Sequence, residues 1–536
     1  MDRRHANRSA PQRRRMNWSR TILAALWILI IIVFALSLAG MALQRGAAGA
    51  VEGSVAEMLA QYMHAINAVS EGVRYPSERV EISMGEKKIW SDAYEVDLSP
   101  ELESVENTYD IAPLLYMPNL GSLDLSYCGI DSFRPISQMV RLKKLKLTFT
   151  GIKDLKILSK LQNLTELDIS YCGITDLSPL EGLKSLRALN IEGNEIKDFS
   201  PIFALSNLES LSANGMGDED IKKLNSLKML KSLSLRKNGM SDLTPLSSFI
   251  WLESLDASGN AASDLTPLAE LKNLTYLNLS DNNIIDLSVV SNMVRLRSLN
   301  LSRNEIGDLS PLAALPYLSR LELSGNKVTS LDPLAESEYL AELDASGNYL
   351  KDANALSNLP ELAALNISYN NKLRDLSPLS GMPKLSILRM DYTGATDIEV
   401  LPSLHSLVQL SLSINSLSDL EPLLQMRSLS SLYAYTYRLN EPEFAQLASL
   451  SNLKKFSLHV TGVDELSRDS LEALSSLTGL TELTLDFFRA EDMYYLKPLI
   501  NLERLQIYQL TGDEGEIELP GCLVTIVETS PAIAFE

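Results

Sequence analysis

The chain has 536 residues, is 45% hydrophobic and 22% charged, and carries a formal net charge of −20 at neutral pH. Its first twenty residues hold seven arginines against one acid, a charge of +6, which leaves −26 on everything after them. A body that acidic lacks the basic footprint a nucleic-acid partner requires, and three cysteines exclude a disulfide framework.

Residues 1–20 form a basic tail, and residues 21–43, TILAALWILIIIVFALSLAGMAL, carry no charge. As a helix rising ~1.5 Å per residue this run spans a ~30 Å hydrocarbon core, so a single transmembrane helix is expected. The arginines before it place the N-terminus in the cytoplasm and everything after it outside. The alternative is a secretory signal cleaved at the small residues Ala48-Gly49-Ala50, leaving a secreted protein. Residues 44–54 form a small-residue linker, and 55–95 an N-terminal cap region with helical periodicity over 55–69.

From there a strict period takes over. Leu123, Leu145, Leu167, Leu189, Leu211, Leu233, Leu255, Leu277, Leu299, Leu321, Leu343 and Leu365 are spaced by 22 residues without a slip. Each period opens with leucines alternating with polar residues, as in a short strand with one buried side. Nine residues after this leucine stands an Asp (Asp154, Asp176, Asp198, Asp220, Asp242, Asp264, Asp286, Asp308, Asp352; later Asp397 and Asp419), next to a short helical start. Pairs such as Ser178-Pro179, Thr244-Pro245 and Ser310-Pro311 fit a helix N-cap followed by proline at the first helical position. Each unit is then a strand, a turn and a short helical or 3₁₀ segment that buries its apolar side only against its neighbours. Asn194, Asn238, Asn260, Asn282, Asn304, Asn326, Asn348, Asn370 and Asn415 recur five residues past the repeating leucine. Pointing inward, they can satisfy backbone groups of their own and a neighbouring unit. Cys128, Thr150 and Cys172 take that place in three early units. Two strand spacings, ~10 Å, separate the cysteines, beyond the ~7 Å that a bridge allows.

The motif L-x-x-L-x-L-x-x-N-x-I-x-D-L-S-P-L over residues 96–510 resembles the leucine-rich repeat of the 22-residue class, as in bacterial internalins and phosphatase-regulating repeat proteins. The resemblance implies an α/β solenoid: a right-handed superhelix with parallel concave strands and short convex helices, of about nineteen units. Later the leucine position moves to Leu388, Leu410, Leu432, Phe456, Leu483 and Leu505, with insertions that look helical at 441–450 and 465–477. Residues 511–536, with Cys522-Leu-Val-Thr-Ile-Val, form a C-terminal cap. The cysteine-clustered caps usual in animal repeat proteins are not seen, which favours a bacterial origin.

Catalysis is not expected. No Cys/His spacing matches zinc, no glycine-rich loop matches a phosphate site, and no base and orienting group recurs beside the strand serines. No cofactor is implied. The Asp column reads as helix-start capping rather than a calcium ladder. On the concave face Asp168, Asn190, Ser212, Ser234, Asp256, Asn278, Asn300, Glu322, Asp344 and Asn366 read as a solvated template. The face changes late: Tyr433, Tyr435, His459, Asp486, Gln506 and Tyr508 are expected to point outward on neighbouring strands, flanked by Lys455 and Arg504. Tyr and Arg are enriched at binding hot spots, so this patch is the candidate contact for a protein partner on the concave face. The resemblance implies adhesion or recognition of a partner protein, which with the expected anchor makes a membrane-anchored, extracytoplasmic interaction module. The alternative is a structural envelope component that binds wall polysaccharide.

Overall fold

Leucine stands opposite leucine through the pairings of a computed structural model that describes residues 80–84, 87–99, 108–414, 417, 419–437, 441–460, 467–511, 519 and 521–527. The expected tail, transmembrane helix, linker and helical stretch 55–69 lie outside the described residues, as does Asn415. Among the described residues no helix is long and apolar enough to cross a membrane. The packing forms two units, Met1–Thr150 with Ile157–Leu164, and Gly151–Lys156 with Thr165–Glu536.

In the first unit an antiparallel hairpin, Glu81–Met84 with Lys87–Trp90, occupies the end of the expected cap region. Parallel strands Glu95–Asp97, Ser122–Asp124 and Lys144–Lys146 follow, with Val96, Leu123 and Leu145 in register. Cys128 is buried, and its thiol donates to the Leu98 carbonyl at 3.1 Å. Burial pushes that thiol up to about 11, so it stays protonated, and the cysteine is free.

The second unit is a ladder of parallel strands, one per repeat, from Glu166–Asp168 to Leu523–Val527. The repeating leucines from Leu167 to Leu365 are all at most 2% exposed. Each contributes about 2 kcal/mol of burial that exists only because the next unit covers it. The regular strands are three residues long because the third residue after each turns the chain through positive φ: Tyr171, Lys237, Asp281, Arg303 and Tyr369 all sit at φ 53–57° in one column with Gly193, Gly215, Gly259, Gly325 and Gly347. Later that place holds Ile414, Thr436 and Val460, β-branched residues that resist positive φ. There the strands run on, to six residues in Ser431–Thr436 and Lys455–Val460; Glu482–Arg489 and Arg504–Thr511 reach eight with Phe487 and Gln509 in that place.

The returning segments are mostly 3₁₀ turns of three to five residues, such as Ser178–Leu180, Thr244–Leu246 and Ser310–Ala314. The expected N-cap role of the Ser/Thr before proline is corrected here. Those residues are the first of the 3₁₀ turn, the preceding leucine occupies the cap position, and the side chain that caps is the aspartate two residues earlier. Asp176 accepts the Ser178 amide at 2.8 Å, and Asp308 accepts that of Ser310 at 2.8 Å. The reason is geometric: a carboxylate two residues ahead closes an Asx turn, which a serine already inside the turn cannot do. Where the order is inverted, Ser330 performs the task for the Asp332 amide. The two late insertions hold the helices Glu441–Leu447 and Arg468–Leu474.

The asparagines do what the spacing suggested. The Asn304 amide donates to the carbonyls of Leu279, Leu301 and Ser302 at 2.9–3.3 Å, and its oxygen accepts the Ile284 amide at 3.0 Å. Asn282, Asn326, Asn348 and Asn370 repeat the pattern, each under 8% exposed. One side chain thus satisfies groups on two units at once.

Candidate functional site

On each strand of the second unit the residues before, after and three past the repeating leucine turn away from the core. In the regular stretch these side chains are short, and they hold one another. Asn190 donates to Asp168 at 3.0 Å, Asn278 to Asp256 at 3.2 Å and Asn366 to Asp344 at 3.0 Å, each across one strand spacing. Their remaining oxygens accept amides at the strand ends, as Asp344 does from Ser346 at 2.9 Å. The template is therefore bonded to itself rather than merely hydrated.

The column three past the leucine is serine for six successive units: Ser258, Ser280, Ser302, Ser324, Ser346 and Ser368. It then reads Asp391, Ser413, Tyr435, His459, Asp486 and Tyr508. The registers put Ser413 beside Tyr435, Tyr435 beside His459, and Asp486 beside Tyr508. Tyr433 and Tyr435 share a face because Leu432 and Ala434, both fully buried, take the core side between them. Lys455 is exposed and bound to Glu482 at 2.8 Å, an exposed pair worth little on its own. Arg504 is exposed at the start of its strand, and the Gln506 amide donates to the Tyr508 hydroxyl at 2.8 Å.

Two of the expected outward residues are corrected. His459 and Asp486 stand on this face but are buried, at 5% and 0% exposure. Tyr435 stacks on the imidazole with centroids 4.9 Å apart, and Tyr508 tilts against it at 5.9 Å. Beneath the rings, His459 Nδ1 lies 3.2 Å from Asp486 and Nε2 lies 2.8 Å from Ser457 Oγ. A base and an orienting carboxylate are thus within reach of a strand serine, contrary to the expectation that none stands beside the strand serines. This is the geometry of an activated nucleophile. Two features oppose that use: Ser457 is buried, and its strand is paired on both flanks, committing the amides to the ladder rather than to an oxyanion. The arrangement satisfies a buried imidazole.

Sequence reasoning missed the other half of the patch. Tyr369 and Tyr392 stack at 4.9 Å, and Tyr392 reaches Tyr435 at 6.3 Å over the small Ser413, whose hydroxyl accepts the Tyr392 amide. Rings therefore touch in series from Tyr369 through Tyr392, Tyr435 and His459 to Tyr508. Tyr369 and Tyr392 occupy left-handed backbone that glycine fills elsewhere in the column, a strain of about 1–2 kcal/mol each, while staying 43% and 44% exposed. Asp391 lies under this end, buried, accepting from Ser411 at 2.7 Å and Ser368 at 3.2 Å, and burial raises its carboxyl above the ordinary range. Burial, followed by the charges of Asp391 and other neighbours, pushes the Tyr435 phenol up to about 12. The signal for this half was in the sequence, in the tyrosines that follow Gly325 and Gly347 in the column four past the leucine, beside the change from serine to Asp391 in the column before it. Among the described residues no three His, Cys, Asp or Glu side chains gather as a metal set.

The family described as leucine-rich repeats in two copies matches residues 140–182, 162–204, 272–314 and 294–336. No curated protein sequence matches. Among solved structures, an internalin (inlF) from Listeria monocytogenes is 26% identical over 60% of this chain and 87% of that one, with a TM-score of 0.43. An internalin C2 of the same organism is 29% identical over 38% and 81%, with a TM-score of 0.29. A leucine-rich repeat protein of Leptospira interrogans is 22% identical over 73% and 98%, with a TM-score of 0.45.

Proposed function

We propose that this chain, built of leucine-rich repeats, is a membrane-anchored, outward-facing module that recognises a protein partner through the late part of its strand face. The observation that carries this reading is the series of touching rings that runs from Tyr369 and Tyr392 through Tyr435 and His459 to Tyr508, across two adjacent columns of the face. Tyrosines supply large amphipathic contact area with few bonds to immobilise. Two of the contacts stack ring on ring, Tyr369 on Tyr392 and Tyr435 on His459, which covers ring faces that a sugar would need open and favours a protein surface as the partner. The anchor rests on the uncharged run 21–43 and the arginines before it. No chemistry is assigned to the module.

Protease added to intact cells should digest residues 44–536 and spare the basic tail; repeats protected until lysis would overturn the orientation. Crosslinking from intact cells should recover a protein with the wild-type chain. The Tyr433→Ser, Tyr435→Ser, Tyr508→Ser chain should recover it about tenfold less or worse while still folding, with a lowered melting point because Tyr435 and Tyr508 cover His459. Equal recovery by both chains would overturn the site.

A further inference from the structure

Every unit leaves its core-facing side chains for the next unit to cover. In the strand Leu523–Val527 that cover is missing among the described residues. Its register places Val524 opposite Leu505 and Ile526 opposite Ile507, core positions that are 1% and 0% exposed one unit earlier. Ile526 is nevertheless 44% exposed, Val524 is half-buried, and Leu523 is 57% exposed. The inner edge is occupied: the Leu523 amide donates to the Glu503 carbonyl at 2.8 Å. Strand alternation then turns the amides of Thr525 and Val527 the same way, and those of Val524 and Ile526 toward the outer edge. The strand reads Leu-Val-Thr-Ile-Val, strongly strand-forming, with no charge, proline or glycine of the kinds that protect edges from pairing.

We propose that this outer edge pairs antiparallel with the same strand of a second copy of the chain, about a twofold axis at Thr525. The segment is self-complementary in that arrangement. Leu523 faces Val527 of the second copy, Val524 faces Ile526, and Thr525 faces its own counterpart, so apolar meets apolar at each end and no charge meets a like charge. A second copy fits better than an unrelated strand because one contact closes two uncovered cores at once, and an isologous contact closes on itself instead of growing into a fibre. The outward amides of Val524 and Ile526 gain acceptors, and Ile526 gains the cover that the leucines of earlier units have.

The test is sedimentation velocity of the full chain over a wide range of concentration. A monomer–dimer equilibrium is expected. Ile526→Lys, which puts a charge at an exposed position and should melt like the wild type, should weaken association by about tenfold or more. Hydrogen exchange should show the amides of Val524 and Ile526 slowed in the dimer and released by dilution. A wild-type chain that is monomeric throughout overturns the proposal, as does association that persists undiminished in Ile526→Lys, which would place the contact elsewhere. Deletion of residues 528–536 separates a further outcome: dimers that form only after the deletion would show that this segment covers the edge itself, and would likewise overturn it.

Discussion

The Tyr171 ring lies so close over Gly193 that a Cβ added to the glycine would stand 2.2 Å from a ring carbon. Gly193 and Gly215 both hold left-handed backbone, at φ 68° and 74°, but a Cβ at Gly215 would meet nothing within 4 Å. Gly215→Ala should therefore cost only the backbone penalty, about 1 kcal/mol. Gly193→Ala should cost more, because the ring must also move. Urea unfolding of the two variants checks this; equal losses would mean the ring moves freely.

Removal of one asparagine from the ladder should be felt on two units. Asn304→Ala leaves three buried carbonyls and the Ile284 amide without their partner. The expected loss is about 1–3 kcal/mol in denaturant unfolding. An unchanged midpoint would mean that water enters and takes the amide's place.

His459 and Asp486 should be coupled. Asp486→Ala strips the imidazole of the carboxylate 3.2 Å away in a site closed to water, a loss of about 2–3 kcal/mol. In a double-mutant cycle with His459→Ala the two losses should fall well short of additive. Additive losses would show that the contact carries no energy.

Acid should act on two sets of carboxylates in opposite senses. Asp176, Asp242, Asp264 and Asp308 are held below the ordinary range, first by the Ser or Thr hydroxyl two residues on and then by its amide. Their contribution is present above the unfolded carboxylate value, about pH 4, and is lost as pH falls through the lower folded values. Burial raises Asp391 instead, so the folded chain binds that proton first and gains stability as pH falls toward about 4. Urea midpoints followed downward from neutral pH should show this gain in the wild type and not in Asp391→Asn. The decline at lower pH should be common to both.

The repeat was legible because its cause is local and recurs: a leucine at fixed spacing, an asparagine that bonds backward by a set number of residues, and an aspartate two before a turn. Each leaves a periodic trace whose meaning follows from geometry. The capping error at Ser178 arose because Ser-Pro fits a helix start equally well one position either way, and only backbone angles decide. The late patch was half legible. Alternation told which side Tyr433 and Tyr435 occupy, but burial depends on the size of what stands on the adjacent strand. Asp486 is enclosed by neighbours 22 and 27 residues away, Tyr508 and His459, and a position's own residue type cannot report that.

The asparagine ladder also sets where heat enters. A chain whose units bond only to adjacent ones behaves as a one-dimensional lattice, losing order from places where the coupling is thin. Asn194 still ties the Cys172 and Ile174 amides to its own unit. The ladder then breaks at Met216, runs without a gap from Asn238 to Asn370, and gives way to Thr393, whose hydroxyl reaches one carbonyl, that of Met390 at 3.1 Å, where an asparagine would bind three. Melting should therefore enter on either side of the stretch from Asn238 to Asn370, so that the tyrosine face loses its shape before the middle of the ladder does.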